Sequence, residues 1–151
     1  MATEPSTIHA SAVLVGAKAV LIRGPSGSGK SRLAWNLVQA GDRGALPFAR
    51  LVADDRAYVE AHGSRVLVRP APSLAGMLEV HGLGIRRMAY EPIAAIGWVI
   101  DLASPEGARM PAKEARETTV MGVAFPLLSV ALGKETLPLV QAWLRTTAAV
   151  D

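Results

Sequence analysis

Ala19-Val20-Leu21-Ile22-Arg23-Gly24-Pro25-Ser26-Gly27-Ser28-Gly29-Lys30-Ser31 joins a short apolar run to a glycine-rich segment of the form G-x-x-x-x-G-K-[ST], matched without a departure. A loop of this Walker A type, set between a strand and a helix, turns successive backbone N–H groups toward one point, where a β-phosphate fits. Each required residue type has its task. The glycines let the backbone turn and approach the ligand, Lys30 brings a point charge to the β and γ oxygens, and the Ser31 hydroxyl can ligate Mg²⁺. The candidate nucleotide-binding segment is therefore Gly24, Pro25, Ser26, Gly27, Ser28, Gly29, Lys30 and Ser31. Its expected ligand is ATP, or pyrophosphate, with Mg²⁺.

The flanking sequence predicts an α/β fold with a mixed sheet and flanking helices. Ile8 to Val15 and Ala19 to Ile22 read as two strands joined by the Gly16-Ala17-Lys18 turn. Leu33, Ala34, Leu37 and Val38 recur at helical spacing, Ala40-Gly41 closes that helix, and Asp42 to Ala49 forms a loop. Leu51-Val52-Ala53 is a short buried strand that ends in Asp54-Asp55. Ala57 to Ala61 and Arg65 to Arg69 form a hairpin around His62-Gly63-Ser64, and Pro70-Ala71-Pro72 breaks the chain after it. Ile93 to Leu102 is a strongly apolar strand. A connection from Ser104 to Thr118 leads to a strand from Thr119 to Val130, broken at Pro126. Thr136 to Ala149 reads as an amphipathic helix through Leu137, Val140, Leu144 and Ala148, with Trp143 beside that face.

Length and composition bound the possibilities. The 151 residues suffice for one domain with a real core, so a single P-loop domain over 1–151 is expected. Half the residues are hydrophobic, yet no apolar run approaches the roughly 18 residues of a membrane span. The start, Met1-Ala2-Thr3-Glu4-Pro5-Ser6, lacks the basic and apolar regions of a signal peptide, and there are no cysteines for disulfides or thiolate metal sites. A cytoplasmic location is the expectation. Sixteen basic residues against thirteen acidic ones give a net charge of only +3, and they are scattered without interleaved aromatics, so a nucleic-acid platform is not expected.

Between Ser31 and Asp54 there is room for one helix and one loop, so the next strand delivers the acidic pair beside the phosphate loop. At a strand end both side chains can reach the site. One can act through metal or water, and the other can face an acceptor hydroxyl as a general base.

Four segments together resemble the catalytic C-terminal domain of the HPr kinase/phosphorylase family. They are Ile8-His9, the loop ending Gly29-Lys30-Ser31, the stretch Leu51-Val52-Ala53-Asp54-Asp55-Arg56, and Leu78-Glu79-Val80-His81-Gly82-Leu83-Gly84-Ile85. The last is similar to the family signature L-E-[IV]-R-G-L-G-I. The resemblance runs from about Ile8 to Arg87 and implies the P-loop kinase fold shared with phosphoenolpyruvate carboxykinase, in a short form without the family's N-terminal domain. It implies that Asp55 is the base that accepts the proton of a protein serine, that Asp54 supports metal or water, and that His9 stands near the acidic pair. Glu79 would be a second Mg²⁺ ligand beside Ser31, and Arg109, with Arg116 as its rival, the catalytic arginine. The implied acceptor is the phosphocarrier protein HPr of the phosphotransferase system, and the implied assembly a homo-oligomer, hexameric in the family.

Two departures bear on direction. His81 stands where the signature has arginine, which exchanges a permanent forked cation for an imidazole. Val130-Ala131-Leu132-Gly133-Lys134-Glu135 stands where the family has V-R-P-G-R-N, a loop associated with the phosphorylase reaction. Paired arginines that would grip a phosphate dianion are missing there. Two other readings of the phosphate loop stay open: a small-molecule kinase of the gluconate or shikimate type, which needs an arginine-rich lid, and a non-catalytic nucleotide-sensing module.

Overall fold

The computed structural model describes residues 6–104, 107, 116–131 and 135–149. Its strands are β1 (Ser6–Ile8), β2 (Ala10–Val15), β3 (Lys18–Arg23), β4 (Ala49–Ala53), β5 (Ala57–His62), β6 (Arg65–Pro70), β7 (Met77–Val80), β8 (Gly84–Arg87), β9 (Ala94–Leu102), β10 (Glu117–Val120) and β11 (Val123–Val130). Helix α1 spans Lys30–Asp42 and α2 spans Thr136–Arg145. Nine strands form one mixed sheet in the order β1-β5-β6-β9-β3-β2-β4, with β11 beside β9 and β10 beside β11. β7 and β8 make a separate antiparallel ribbon. The expected α/β architecture is thus present, with a P-loop between β3 and α1.

Alternation along β3 explains why its run is apolar at consecutive positions. Val20 and Ile22 pack with Leu33 and Leu37 of α1 on one face, while Ala19 and Leu21 pack with Val59, Val68 and Phe125 on the other. Both faces are covered, so β3 is buried on two sides and needs no polar positions. Leu21 and Ile22 are fully buried, and each such side chain contributes about 1.5–3 kcal/mol. A sheet position this constrained holds the loop that follows it in a fixed place.

β9 lies at the centre. Its Ala94 and Ala95 pair antiparallel with β6, while its C-terminal half runs parallel to β3 on one side and β11 on the other. Arg23, the last residue of β3, locks this end of the sheet: its Nε donates to Asp101 Oδ1 at 2.7 Å and its Nη2 to Oδ2 at 3.0 Å and to Thr118 Oγ1 at 3.2 Å. The fork joins β3, β9 and β10 directly below the phosphate loop.

Several expected boundaries move. The strand predicted from Ile8 divides at His9 into β1, which pairs with β5, and β2, which pairs with β3 and β4. One strand cannot serve two such neighbours without a break. Helix α1 keeps Asp42, β4 begins at Ala49 rather than Leu51, β5 takes in His62, and β9 begins at Ala94 rather than Ile93. The strand predicted over Thr119–Val130 is two strands, and its break is the Met121-Gly122 turn, not Pro126. Both turn residues have positive φ, 51° and 80°, which suits a tight hairpin. Pro126 stays within β11 one residue before pairing with β9 starts, so its missing N–H leaves no gap in that ladder. The last helix ends at Arg145, with Leu137, Trp143 and Leu144 against the core and Ala148 beyond its end. Most of the predicted connection 104–118 lies outside the described residues, although Glu117 and Thr118 belong to β10.

Candidate active site

Gly29 stands at the N-cap of α1 with φ 100°, a conformation that glycine adopts without the strain an L side chain would bring. Gly24 has a steric reason as well, since a Cβ there would lie 2.5 Å from Ser28 Oγ. The Ser28 hydroxyl is buried with no hydrogen-bond partner among the described residues, while its N–H donates to the Pro25 carbonyl at 3.0 Å. Lys30, 8% exposed, folds back so that Nζ donates to the Gly24 carbonyl at 2.9 Å and the Pro25 carbonyl at 3.3 Å. The predicted segment is therefore a closed loop over a helix N-terminus, with the lysine across its mouth.

β4 delivers the acidic pair to this loop. Asp54, also 8% exposed, accepts from Ser31 Oγ at 2.8 Å on Oδ1 and 2.9 Å on Oδ2. It accepts further from Ser11 Oγ at 2.7 Å and from the Glu79 backbone N–H at 3.1 Å. Four elements, β2, α1, β4 and β7, thus converge on one carboxylate. Multiple donors make a buried charge tolerable, because each replaces a lost water contact. Asp55 is the opposite case. It is exposed, has φ 65°, and its backbone N–H donates to Ser11 Oγ at 3.2 Å. Among the described residues its carboxylate accepts no hydrogen bond.

A cleft of about 640 Å³ opens over these groups. Ser26, Gly27, Gly29, Lys30 and Ser31 form its floor; Asp55, Glu79 and His81 stand on one wall, and Arg32 and Trp35 of α1 on another. The signature segment supplies Glu79 from β7 and His81 from the turn that leads into β8, and both are exposed. The cleft brings together Lys30, Ser31, Asp55 and Glu79, with Asp54 directly beneath.

The other predicted residues are placed differently. His9 is exposed at the break between β1 and β2 and is not part of the cleft lining. Arg116 does not line the cleft, and its Nε is buried without a hydrogen-bond partner among the described residues. Arg109 and Lys134 lie outside the described residues. Ser11 and Trp35 were not expected at the site. Ser11 carried one faint signal, a lone hydroxyl inside the apolar run Ala10–Val15. Trp35 sits one position off the predicted buried face of α1.

The fold and this cleft define a P-loop domain with the kinase fold. A glycine-rich loop leads from a central strand into a helix, and a buried aspartate at the end of β4, separated from β3 by β2, is bonded to the loop's serine. The chain belongs to the HPr Serine kinase C-terminal domain family, whose model matches residues 1–90. It is 39% identical over 83 residues to an HPr kinase/phosphorylase of Levilactobacillus brevis and 41% identical over 83 residues to one of Lacticaseibacillus casei, each match covering 54% of this chain. It is 45% identical over 67 residues, 44% of the chain, to an HPr kinase/phosphorylase of an Exiguobacterium species. These matches span only 24%, 24% and 19% of the relatives' own lengths. A solved structure, the Hpr(Ser) kinase/phosphatase from Coxiella burnetii, superposes with a TM-score of 0.71 at 26% identity, covering 93% of this chain and 88% of that one. No helix among the described residues is long and apolar enough to cross a membrane.

Proposed function

We propose that this chain is an ATP-dependent protein-serine kinase whose acceptor is HPr. The observation that carries the proposal is the division of labour in the acidic pair. Asp54 is buried and accepts from three donors, the Ser11 and Ser31 hydroxyls and the Glu79 N–H, whereas among the described residues the Asp55 carboxylate accepts no hydrogen bond and lines a cleft with the phosphate loop. An uncommitted carboxylate there can accept the proton of an incoming serine hydroxyl, the task of a general base in phosphoryl transfer. The relatives are HPr kinase/phosphorylases, which directs the choice of acceptor.

The donor set suits Mg²⁺. Ser31, Asp54 and Glu79 offer hard oxygen ligands, and among the described residues no cluster of three or more acidic or histidine side chains forms an all-protein cage. Mg²⁺ is commonly held in this way, by one or two carboxylates with water and substrate phosphates making up the rest. When bound, it would neutralise charge on the transferring phosphate. The chain's own residues do the remaining work. The loop amides and the Ser28 hydroxyl offer donors to phosphate oxygens, Lys30 leaves the Gly24 and Pro25 carbonyls to meet them, and Asp55 orients and deprotonates the acceptor. Such transfer depends on alignment and charge neutralisation more than on covalent catalysis. His81 takes the place of the signature arginine on the cleft wall, so the phosphorylase direction is the weaker one in this reading.

The deciding experiment incubates the chain with Mg²⁺, [γ-³²P]ATP and HPr and locates the labelled residue. Label on an HPr serine is expected. ATP binding without transfer to HPr or to any small hydroxyl acceptor would leave a nucleotide-sensing module; transfer to a sugar-like acceptor alone would make this a small-molecule kinase.

A further inference from the structure

Ser11 is fully buried at the second position of β2, and its hydroxyl is used twice. It donates to Asp54 Oδ1 at 2.7 Å and accepts from the Asp55 backbone N–H at 3.2 Å. One oxygen atom therefore touches both members of the acidic pair. β2 pairs antiparallel with β4, and the register slips between Ala12 and Val13: Ala12 lies opposite Ala53 and Val13 opposite Leu51. That irregularity sets the residue before it, Ser11, beside the end of β4, where the two aspartates leave the sheet. Val13 packs on the α1 side with Leu51, while Ala10 and Ala12 belong to the opposite cluster. A hydroxyl among these alanines and valines serves no packing purpose that alanine would not serve equally.

Asp55 has a further need that Ser11 meets. With φ 65° it holds a left-handed backbone, which costs a non-glycine residue about 1 kcal/mol. Among the described residues its carboxylate has no hydrogen-bond partner that would hold the side chain in place. The Ser11 hydroxyl takes the N–H of the Asp55 peptide while the Arg56 N–H donates to the carbonyl of that peptide, Asp54 O, at 2.7 Å; together they set the direction in which the Asp55 side chain leaves the strand.

We infer that Ser11 is a positioning residue of this site: its hydroxyl links the phosphate-loop aspartate to the acceptor-facing one, holding Asp55 at a fixed place relative to Ser31 and Asp54. The inference rests on the kinase reading for its effect on rate, but its structural content does not depend on that reading. A loss of alignment of about 1 Å can cost on the order of 10²-fold in rate. Ser11→Ala should therefore lower kcat for transfer to HPr by about 10- to 100-fold, with the KM for ATP changed by less than about threefold, because the phosphate loop itself is untouched. Ser11→Thr keeps the hydroxyl and should recover most of the rate.

Two further measurements separate this from a packing effect. In the full chain, amide exchange followed by NMR should speed up about tenfold or more at Asp55 in Ser11→Ala, because that N–H loses its acceptor, while the β3 amides keep their protection. Thermal melting reports whether the variant remains folded. If the unsubstituted chain transfers no phosphate to HPr, the kinase reading fails, and the Asp55 exchange result still decides the role of Ser11. Unchanged Asp55 exchange in Ser11→Ala would overturn the inference. So would a kcat within twofold of the parent, or equal losses in Ser11→Ala and Ser11→Thr that follow a lowered melting temperature.

Discussion

Replacing Asp55 by asparagine separates the backbone of the acidic pair from its proton chemistry. Asparagine has the size of aspartate and tolerates a left-handed backbone, so φ 65° is kept without new strain. The contact that places the residue, its N–H to Ser11 Oγ at 3.2 Å, is made by the main chain and survives. Because the carboxylate is exposed and unbonded among the described residues, stability should change by less than about 0.5 kcal/mol. An amide cannot accept the serine proton. General-base catalysis contributes about 10²–10⁴-fold, or roughly 2.7–5.5 kcal/mol of barrier, and that fraction of kcat should disappear. Affinity for ATP should stay within about twofold, since the phosphate loop makes no bond to Asp55. Asp55→Ala is the contrast: it loses the base and also puts a poorly suited side chain at φ 65°, so it should melt a few degrees lower at a cost of about 1–2 kcal/mol. The assay pairs single-turnover transfer from [γ-³²P]ATP to HPr with titration of a fluorescent ATP analogue and thermal melting. Asp55→Asn retaining near-parental transfer would refute the base assignment. A joint fall in ATP affinity and rate would show instead that Asp55 holds the metal and that the roles of Asp54 and Asp55 are reversed.

Lys30→Ala should reduce transfer by orders of magnitude while costing only about 1 kcal/mol of stability, the worth of its bonds to the Gly24 and Pro25 carbonyls; a folded variant with normal transfer contradicts the phosphate-loop reading. Glu79→Gln should raise the Mg²⁺ concentration needed for half-maximal rate without loosening Asp54, because the bond to Asp54 comes from the Glu79 main chain; an unchanged Mg²⁺ dependence removes Glu79 from the metal site. His81→Arg should speed phosphate-driven dephosphorylation of phosphoserine-HPr by about 10- to 100-fold, the worth of a charge-assisted forked contact. No change on that substitution would place the grip on phosphate elsewhere in the cleft.

Local spacing was enough for the loop and the acidic pair, whereas Leu78 to Ile85 was legible only through its likeness to a family signature. Gly24 to Ser31 is defined by residues within eight positions of one another, and such a segment can close on itself wherever a strand feeds it and a helix follows. The apolar runs at Ala19–Ile22 and Leu51–Ala53 were legible because strands buried on both faces need no alternation. Boundaries were less so. Pro126 looked like a break, yet its strand pairs in a place where the missing N–H does no harm, and the true turn at Met121-Gly122 carries only one of the residues that usually mark turns.

What the amino-acid order by itself determined, then, is which residues share the phosphate loop and that two aspartates follow one helix later, since both depend on covalent neighbours and on the turn and helix propensities between them. Tertiary structure alone decided which aspartate is buried and which is exposed. That outcome depends on the slipped register of β2 against β4, which brings Ser11 to residues 43 and 44 positions away, and on a ribbon that carries the Glu79 N–H back over 25 positions to the same carboxylate. The same topology leaves His9 exposed outside the cleft and turns Trp35 toward it. Contacts of this range come from strand pairing and helix packing across the whole sheet, and no window of sequence contains both partners.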